Sequence, residues 1–112
     1  MKQAWVNAQG TLPSIAVAGV KKMNIDLSRI HEGVEVELRA EPTNPYDPNA
    51  IQVVAWYGEE RSRNGSLLGY IPREWAAVLR ASDWTATVTA VLMFEGAASG
   101  LRLRLNRRIV DD

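Results

Sequence analysis

The residues best equipped for chemistry lie together in Glu41-Pro42-Thr43-Asn44-Pro45-Tyr46-Asp47-Pro48-Asn49-Ala50-Ile51. A carboxamide (Asn44), a phenol (Tyr46) and a carboxylate (Asp47) fall between and beside Pro42, Pro45 and Pro48. Each proline fixes its own φ near about −65° and keeps the residue before it out of the helical region. Asn44, Asp47 and Asn49 have short polar side chains that close turns on nearby backbone. A stiff loop that presents a flat ring beside a carboxylate and an amide suits recognition, because docking on it loses little entropy. The same residues also make a well-formed corner between two strands, and the loop taken alone favours that plainer reading.

Other chemistry finds little material. The single histidine, His31, sits beside Glu32 in a polar stretch, and the chain has no cysteine. That excludes a disulfide framework and a thiolate metal site, and leaves nothing from which to build a triad. Asp26, Glu32 and Asp47 are not spaced to share a cation. No glycine-rich phosphate loop is present. The reading is of a chain that is not an enzyme and carries no metal or cofactor. Thirteen basic residues balance thirteen acidic ones, which argues against broad, nonspecific wrapping of duplex DNA. A small site for one nucleic-acid end remains open. Arg102, Arg104, Arg107 and Arg108 form the densest basic stretch. It reads either as a phosphate stripe or as the cross-strand partner of Glu35 and Glu37, and the zero net charge favours pairing. Lys21-Lys22 is equally ambiguous.

The elements that must position these groups are mostly strands. The chain has 112 residues, enough for one core and too few for two. Residues 1–13 read as an arm, 14–108 as a single domain and 109–112 as a loose tail. Ser14 to Val20 is apolar and reads as a buried strand. Lys21 to Gly33 reads as a loop with a helical turn that Asp26 or Ser28 could cap. Val34 to Arg39 alternates, with Val34, Val36 and Leu38 on one face. Ile51 to Tyr57 reads as a central strand. Asn64-Gly65 turns it into Leu67 to Ile71. Pro72 opens a helix of two to three turns over Arg73 to Ala81. Trp84 to Phe94 alternates again, Gly96 to Gly100 reads as a turn, and Leu101, Leu103 and Leu105 lie on the last strand. The expected fold is mostly β, a small OB-like β-barrel of five to six strands with one short helix. Met1-Lys2-Gln3-Ala4-Trp5 has no apolar run of a signal peptide, and no segment reaches a membrane span. The expected location is cytoplasmic or nucleoid-associated.

The ordered combination of the proline loop, a following strand and Leu68-Gly69-Tyr70-Ile71-Pro72-Arg73 resembles the HIRAN domain family. Val17-Ala18-Gly19-Val20 suits that family's first strand. The resemblance runs from about Ile15 to Arg80 and on towards Phe94. It implies an OB-like barrel that binds single-stranded DNA at a free 3′-hydroxyl end. Implied partners are such DNA ends, and a helicase or other DNA-processing protein. The positions that match the family's site are Asn44, Tyr46, Asp47, Tyr70 and Arg73, with Phe94 on the late strand. In those roles Tyr46 stacks on a terminal base, Asp47 accepts from a sugar hydroxyl, and Asn44 serves a base edge or sugar. Arg73 meets a phosphate beside a helix N-terminus, and Tyr70 packs on sugar or donates to phosphate. One departure stands out. DNA-binding members carry an arginine and aromatic residues just before the Gly-Val of the first strand, where this chain has Ala16-Val17-Ala18. The alternative reading is a protein-interaction barrel that has kept the fold and lost the DNA site.

Overall fold

The computed structural model describes residues 14–23, 25–26, 28–56 and 66–107. The expected arm, the Asn64-Gly65 turn, Tyr57, Arg108 and the tail lie outside them. Six antiparallel strands occur among the described residues: β1 Ile15–Ala16, β2 Glu35–Ala40, β3 Ile51–Ala55, β4 Ser66–Tyr70, β5 Trp84–Phe94 and β6 Ala97–Arg107. One α-helix, α1, spans Arg73–Ala76. The strand order is β1-β6-β5-β2-β3-β4.

The alternation seen in the sequence sets which side of the sheet is buried. Val36 and Leu38 on β2, Ala86 and Val88 on β5, and Leu101, Leu103 and Leu105 on β6 all point inward. β3 has Ile51, Val53, Val54 and Ala55 buried, the mark of a strand covered on both faces. Ile30, Leu68, Ile71, Ala76 and Trp84 complete one core. No buried polar side chain lacks a partner among the described residues.

The sheet curls until its edges meet. β1 is short, but its ladder continues: Val17 N–H donates to Leu101 O at 2.8 Å. Ala18 then exchanges two backbone bonds with Tyr70 of β4, at 2.7 and 2.9 Å. A strand's backbone groups alternate in direction, so Val17 serves β6 and Ala18 serves β4. This seam is tight. A Cβ on Gly69 would lie 2.5 Å from Ala18 O and 2.6 Å from a Val17 methyl, and Gly69 has φ +149°. Only glycine fits there. The β3–β4 register slips between Val53 and Val54, which leaves Leu68 as an extra residue beside Gly69.

Three sequence expectations change. The first strand ends early, because Gly19 at φ 79° starts a 3-10 turn over Val20–Lys22. Asp26, by contrast, caps a helical turn as expected: its O accepts from the N–H groups of Arg29 and Ile30, and its Oδ1 accepts from Ser28 N–H (3.0 Å) and Ser28 Oγ–H (2.5 Å), bonds that lower its pKa. The helix has four residues rather than two to three turns. Val78 faces solvent and Arg80 is extended, so only Trp75, Ala76 and Leu79 offer packing to support it. Finally, Ala97 to Gly100 is strand; the turn is Glu95-Gly96 alone, with φ 52° and 80°. Two residues with positive φ match the twist of a hairpin, so no longer loop is needed.

Candidate nucleic-acid interface

The proline loop leaves β2 at Glu41 and joins β3 at Ile51. Backbone closes its base, with Glu41 N–H donating to Ala50 O at 2.9 Å. Asn44 N–H donates to Glu41 O and Ala50 N–H to Asp47 O. Side chains finish the turns. Asn44 Oδ1 accepts from the N–H groups of Tyr46 (2.8 Å) and Asp47 (3.0 Å). Asp47 Oδ1 accepts from Asn49 N–H at 2.9 Å. The turn-closing role foreseen for these residues is thus formed.

Glu41 is the hub beneath the loop. Its Oε1 accepts from Asn44 Nδ2 (2.6 Å) and from the Tyr70 hydroxyl (3.0 Å). Its Oε2 accepts from Gln52 Nε2 at 2.6 Å. One carboxylate thereby ties the loop to β3 and β4. Burial raises the Tyr70 phenol above its ordinary pKa of 10.0, and its hydrogen bond to Glu41 raises it further. Tyr70 therefore keeps its proton and spends it on Glu41, so it offers a ligand its ring rather than a donated bond.

Arg73 reaches back from α1 to the loop. Its Nη2 donates to Tyr46 O at 2.8 Å, and its Nε lies 3.6 Å from Asp47 Oδ2. The Arg73 side chain is 74% exposed and that of Asp47 18%. Such an open pair contributes about 0–1 kcal/mol to stability. Its main effect is to hold the loop's tip in place while leaving guanidinium N–H groups facing solvent. A four-residue helix aligns few peptide dipoles, so the cation that Arg73 provides, not the helix terminus, is what can meet a phosphate. Tyr46 is fixed through both its backbone groups, and the residue is 86% exposed. It does not fill the barrel mouth.

One cleft is lined by Ala18, Glu41, Asn44, Pro45, Tyr46, Asp47, Ala50, Tyr70, Ile71 and Arg73. Five of the six residues named from the sequence meet there. Phe94 does not line it; this residue stands at the tip of the β5–β6 hairpin, exposed. Glu41 is the residue that sequence reasoning missed, while Ala18, marked there only as part of a departure, lines the cleft. Glu41 had a partial signal as a charged residue at the end of an alternating strand, directly before Pro42. Its partners Gln52 and Tyr70 are distant in the chain, so its role needed the fold. Ala16 and Ala18 are both exposed. The departure at Ala16-Val17-Ala18 therefore falls at the wall of the cleft itself, which is left low on that side.

The remaining candidates separate from the site. His31 is exposed, with its Nδ1 3.0 Å from Glu32 O. No group of three His, Cys, Asp or Glu residues among the described residues could hold a metal ion. Among the described residues, the expected pairing of the arginine stripe with Glu35 and Glu37 is not formed, because β5 lies between β2 and β6. Instead Arg102 donates to Ser14, Arg107 stacks over Trp84 at 4.7 Å, and Glu37 binds Arg39 on its own strand. Among the described residues no helix is long and apolar enough to cross a membrane.

Comparison with known proteins bears on this geometry. A crystal structure of a protein from Lactobacillus plantarum is similar at TM-score 0.61 and 24% identity, over 88% of this chain and 95% of that one. The HIRAN domain of human HLTF is similar at TM-score 0.50 and 21% identity, over 85% of this chain and 74% of that one. At these identities the likeness speaks to fold, and it agrees with an OB-like, mostly β architecture. No curated protein matches the sequence. The family model described as HIRAN domain matches residues 14–110, and HIRAN domains are known generally as DNA-binding modules. With the match spanning every strand and the cleft between them, the chain belongs to the HIRAN domain family.

Proposed function

We propose that this protein is a non-catalytic module that binds single-stranded DNA at a 3′-hydroxyl end, in the service of DNA repair or replication restart. The observation that carries the reading is the cleft in which the exposed Tyr46 ring, the Asp47 carboxylate and the Arg73 guanidinium converge. A terminal base stacks on Tyr46, a contact worth about 1–3 kcal/mol. Asp47 Oδ2 accepts from the terminal sugar hydroxyl, and the outward N–H groups of Arg73 meet the penultimate phosphate. A 3′-phosphate would bring its charge against two carboxylates, Glu41 and Asp47, with one guanidinium to offset them. The partner in the cell is then a DNA end, delivered to or handed on by a helicase or other DNA-processing protein.

Fluorescence anisotropy with a short oligonucleotide tests this, comparing a 3′-hydroxyl with a 3′-phosphate. The hydroxyl end should bind at least about tenfold more tightly, a difference of about 1.4 kcal/mol. Tyr46→Ala should weaken binding by about 1–3 kcal/mol and leave the melting temperature nearly unchanged, since the ring packs in no core. Equal affinity for both ends would remove end recognition. No binding to either would leave a barrel that serves a protein partner.

A further inference from the structure

The cleft does not end at Ala18. β1 lies antiparallel to β6 with Ala16 opposite Arg102, and the same register sets Ala18 beside Gly100. Gly100 in turn pairs with Leu92 of β5. Four neighbouring strands therefore carry Tyr70, Ala18, Gly100 and Leu92 in one row. All four face outward: Val17 and Leu101 beside them are buried, and Val91 packs on the core. Strands are spaced about 4.8 Å apart, so the row is about 14 Å wide.

Its shape is a shallow trough. Ala18 and Gly100 give the floor almost no height. Tyr70 stands at one side and Leu92, 51% exposed, at the other. The Leu92 side chain leans over Gly100, where an added Cβ would lie 3.1 Å from Leu92 Cδ1. The 3-10 turn that follows Ala18 packs on β6 and β4, with Val20 inward and Lys21 and Lys22 exposed. An apolar wall, a flat floor and two cations thus adjoin the cleft that holds Tyr46. The cations favour a polyanion, and continuity with the cleft favours the strand already proposed to enter it.

We infer that this trough is a second nucleotide-binding subsite, in which Leu92 packs against a base further from the 3′ end and Lys21 and Lys22 meet the phosphates that follow. This rests on the reading of the cleft as a DNA-end site. In the absence of bulky side chains at Ala16 and Ala18, the strand crosses the seam instead of stopping at a wall. Contacts of this kind tolerate any base, because every base has an apolar face.

The test measures affinity against length, using oligothymidylates with a 3′-hydroxyl from the dinucleotide to the octanucleotide. The parent should gain roughly tenfold from the dinucleotide to the longer strands. Leu92→Asp and the double variant Lys21→Ala/Lys22→Ala should each lose most of that gain while binding the dinucleotide like the parent. The lysine variant should also show a salt slope shallower by about 1.4, two phosphates at about 0.7 each. A parent that binds the dinucleotide but gains nothing with length overturns the subsite and leaves the cleft standing. Variants that keep the full gain with an unchanged slope overturn it as well. A parent that binds neither strand fails the reading of the cleft, and the subsite falls with it. Both variants alter exposed side chains, and matched melting temperatures would confirm that any loss is local.

Discussion

At the residue scale, the site rests on Glu41 as much as on the groups that face a ligand. Tyr46 and Asp47 stood out in the sequence through the family resemblance, since the proline loop taken alone reads as a corner between strands. Asn44 was legible as a residue that closes the turn, but its bond to Glu41 was not. It accepts from Tyr46 and Asp47 and donates to Glu41, so it builds the loop. Glu41→Ala strands three donors, Asn44 Nδ2, Gln52 Nε2 and the Tyr70 hydroxyl, each of which turns to water at a cost of about 1 kcal/mol. DNA-end binding should fall at least about fivefold, or about 1 kcal/mol, with a modest loss of melting temperature. The Tyr70 phenol reports the same bond without DNA. Its raised pKa means that its share of stability is complete below its ordinary value of 10.0 and is lost as pH rises through the raised value in the folded state. Removing Glu41 should bring the phenol down towards that value, although burial, the larger cause, stays. Spectrophotometric titration of parent, Glu41→Ala and Tyr70→Phe checks this; a Tyr70 transition that does not move in Glu41→Ala would remove Glu41 from its place as hub.

At the element scale, the strands were readable and their closure was not. Trp84 to Phe94 matches its expected bounds because eleven residues of alternation leave one solution. The helix shrank because periodicity over Trp75, Ala76, Val78 and Leu79 does not say which of them finds a core to pack on. The seam between β1 and β4 joins residues distant in the chain, and no local pattern announces it. Its one local sign is Gly69, placed between Leu68 and Tyr70 where a strand would ordinarily carry a side chain. Gly69→Ala should destabilise the fold by at least about 1–3 kcal/mol through backbone strain alone, before the contacts with Ala18 O and the Val17 methyl are counted. Chemical denaturation measures this. Because Tyr70 and Ala18 both line the cleft, the same variant should weaken DNA binding beyond its effect on the folded fraction. A Gly69→Ala protein as stable as the parent would mean that the barrel does not need a tight seam.

At the scale of the whole molecule, a formal net charge of zero limits how the protein can hold a polyanion. Long-range attraction is weak, so affinity must come from a few placed cations and from stacking. The described cations beside the cleft and trough are Arg73, Lys21, Lys22 and Arg102, the last already donating to Ser14. Arg104 and Arg107 lie further along β6, past Leu103, towards the end of the strand away from the Glu95-Gly96 turn. Three phosphate contacts on a single strand predict a slope of log K against log salt near about −2, and contact through Arg73 alone near about −0.7. Titration across salt concentrations with an octanucleotide separates these from a third case. A slope well steeper than about −2 would bring in the β6 arginines and turn the ligand's path across the sheet instead of along the seam. A slope near about −0.7 with strong binding would put nearly all the affinity in Tyr46 and its neighbours, and Tyr46→Ala would then remove most of it.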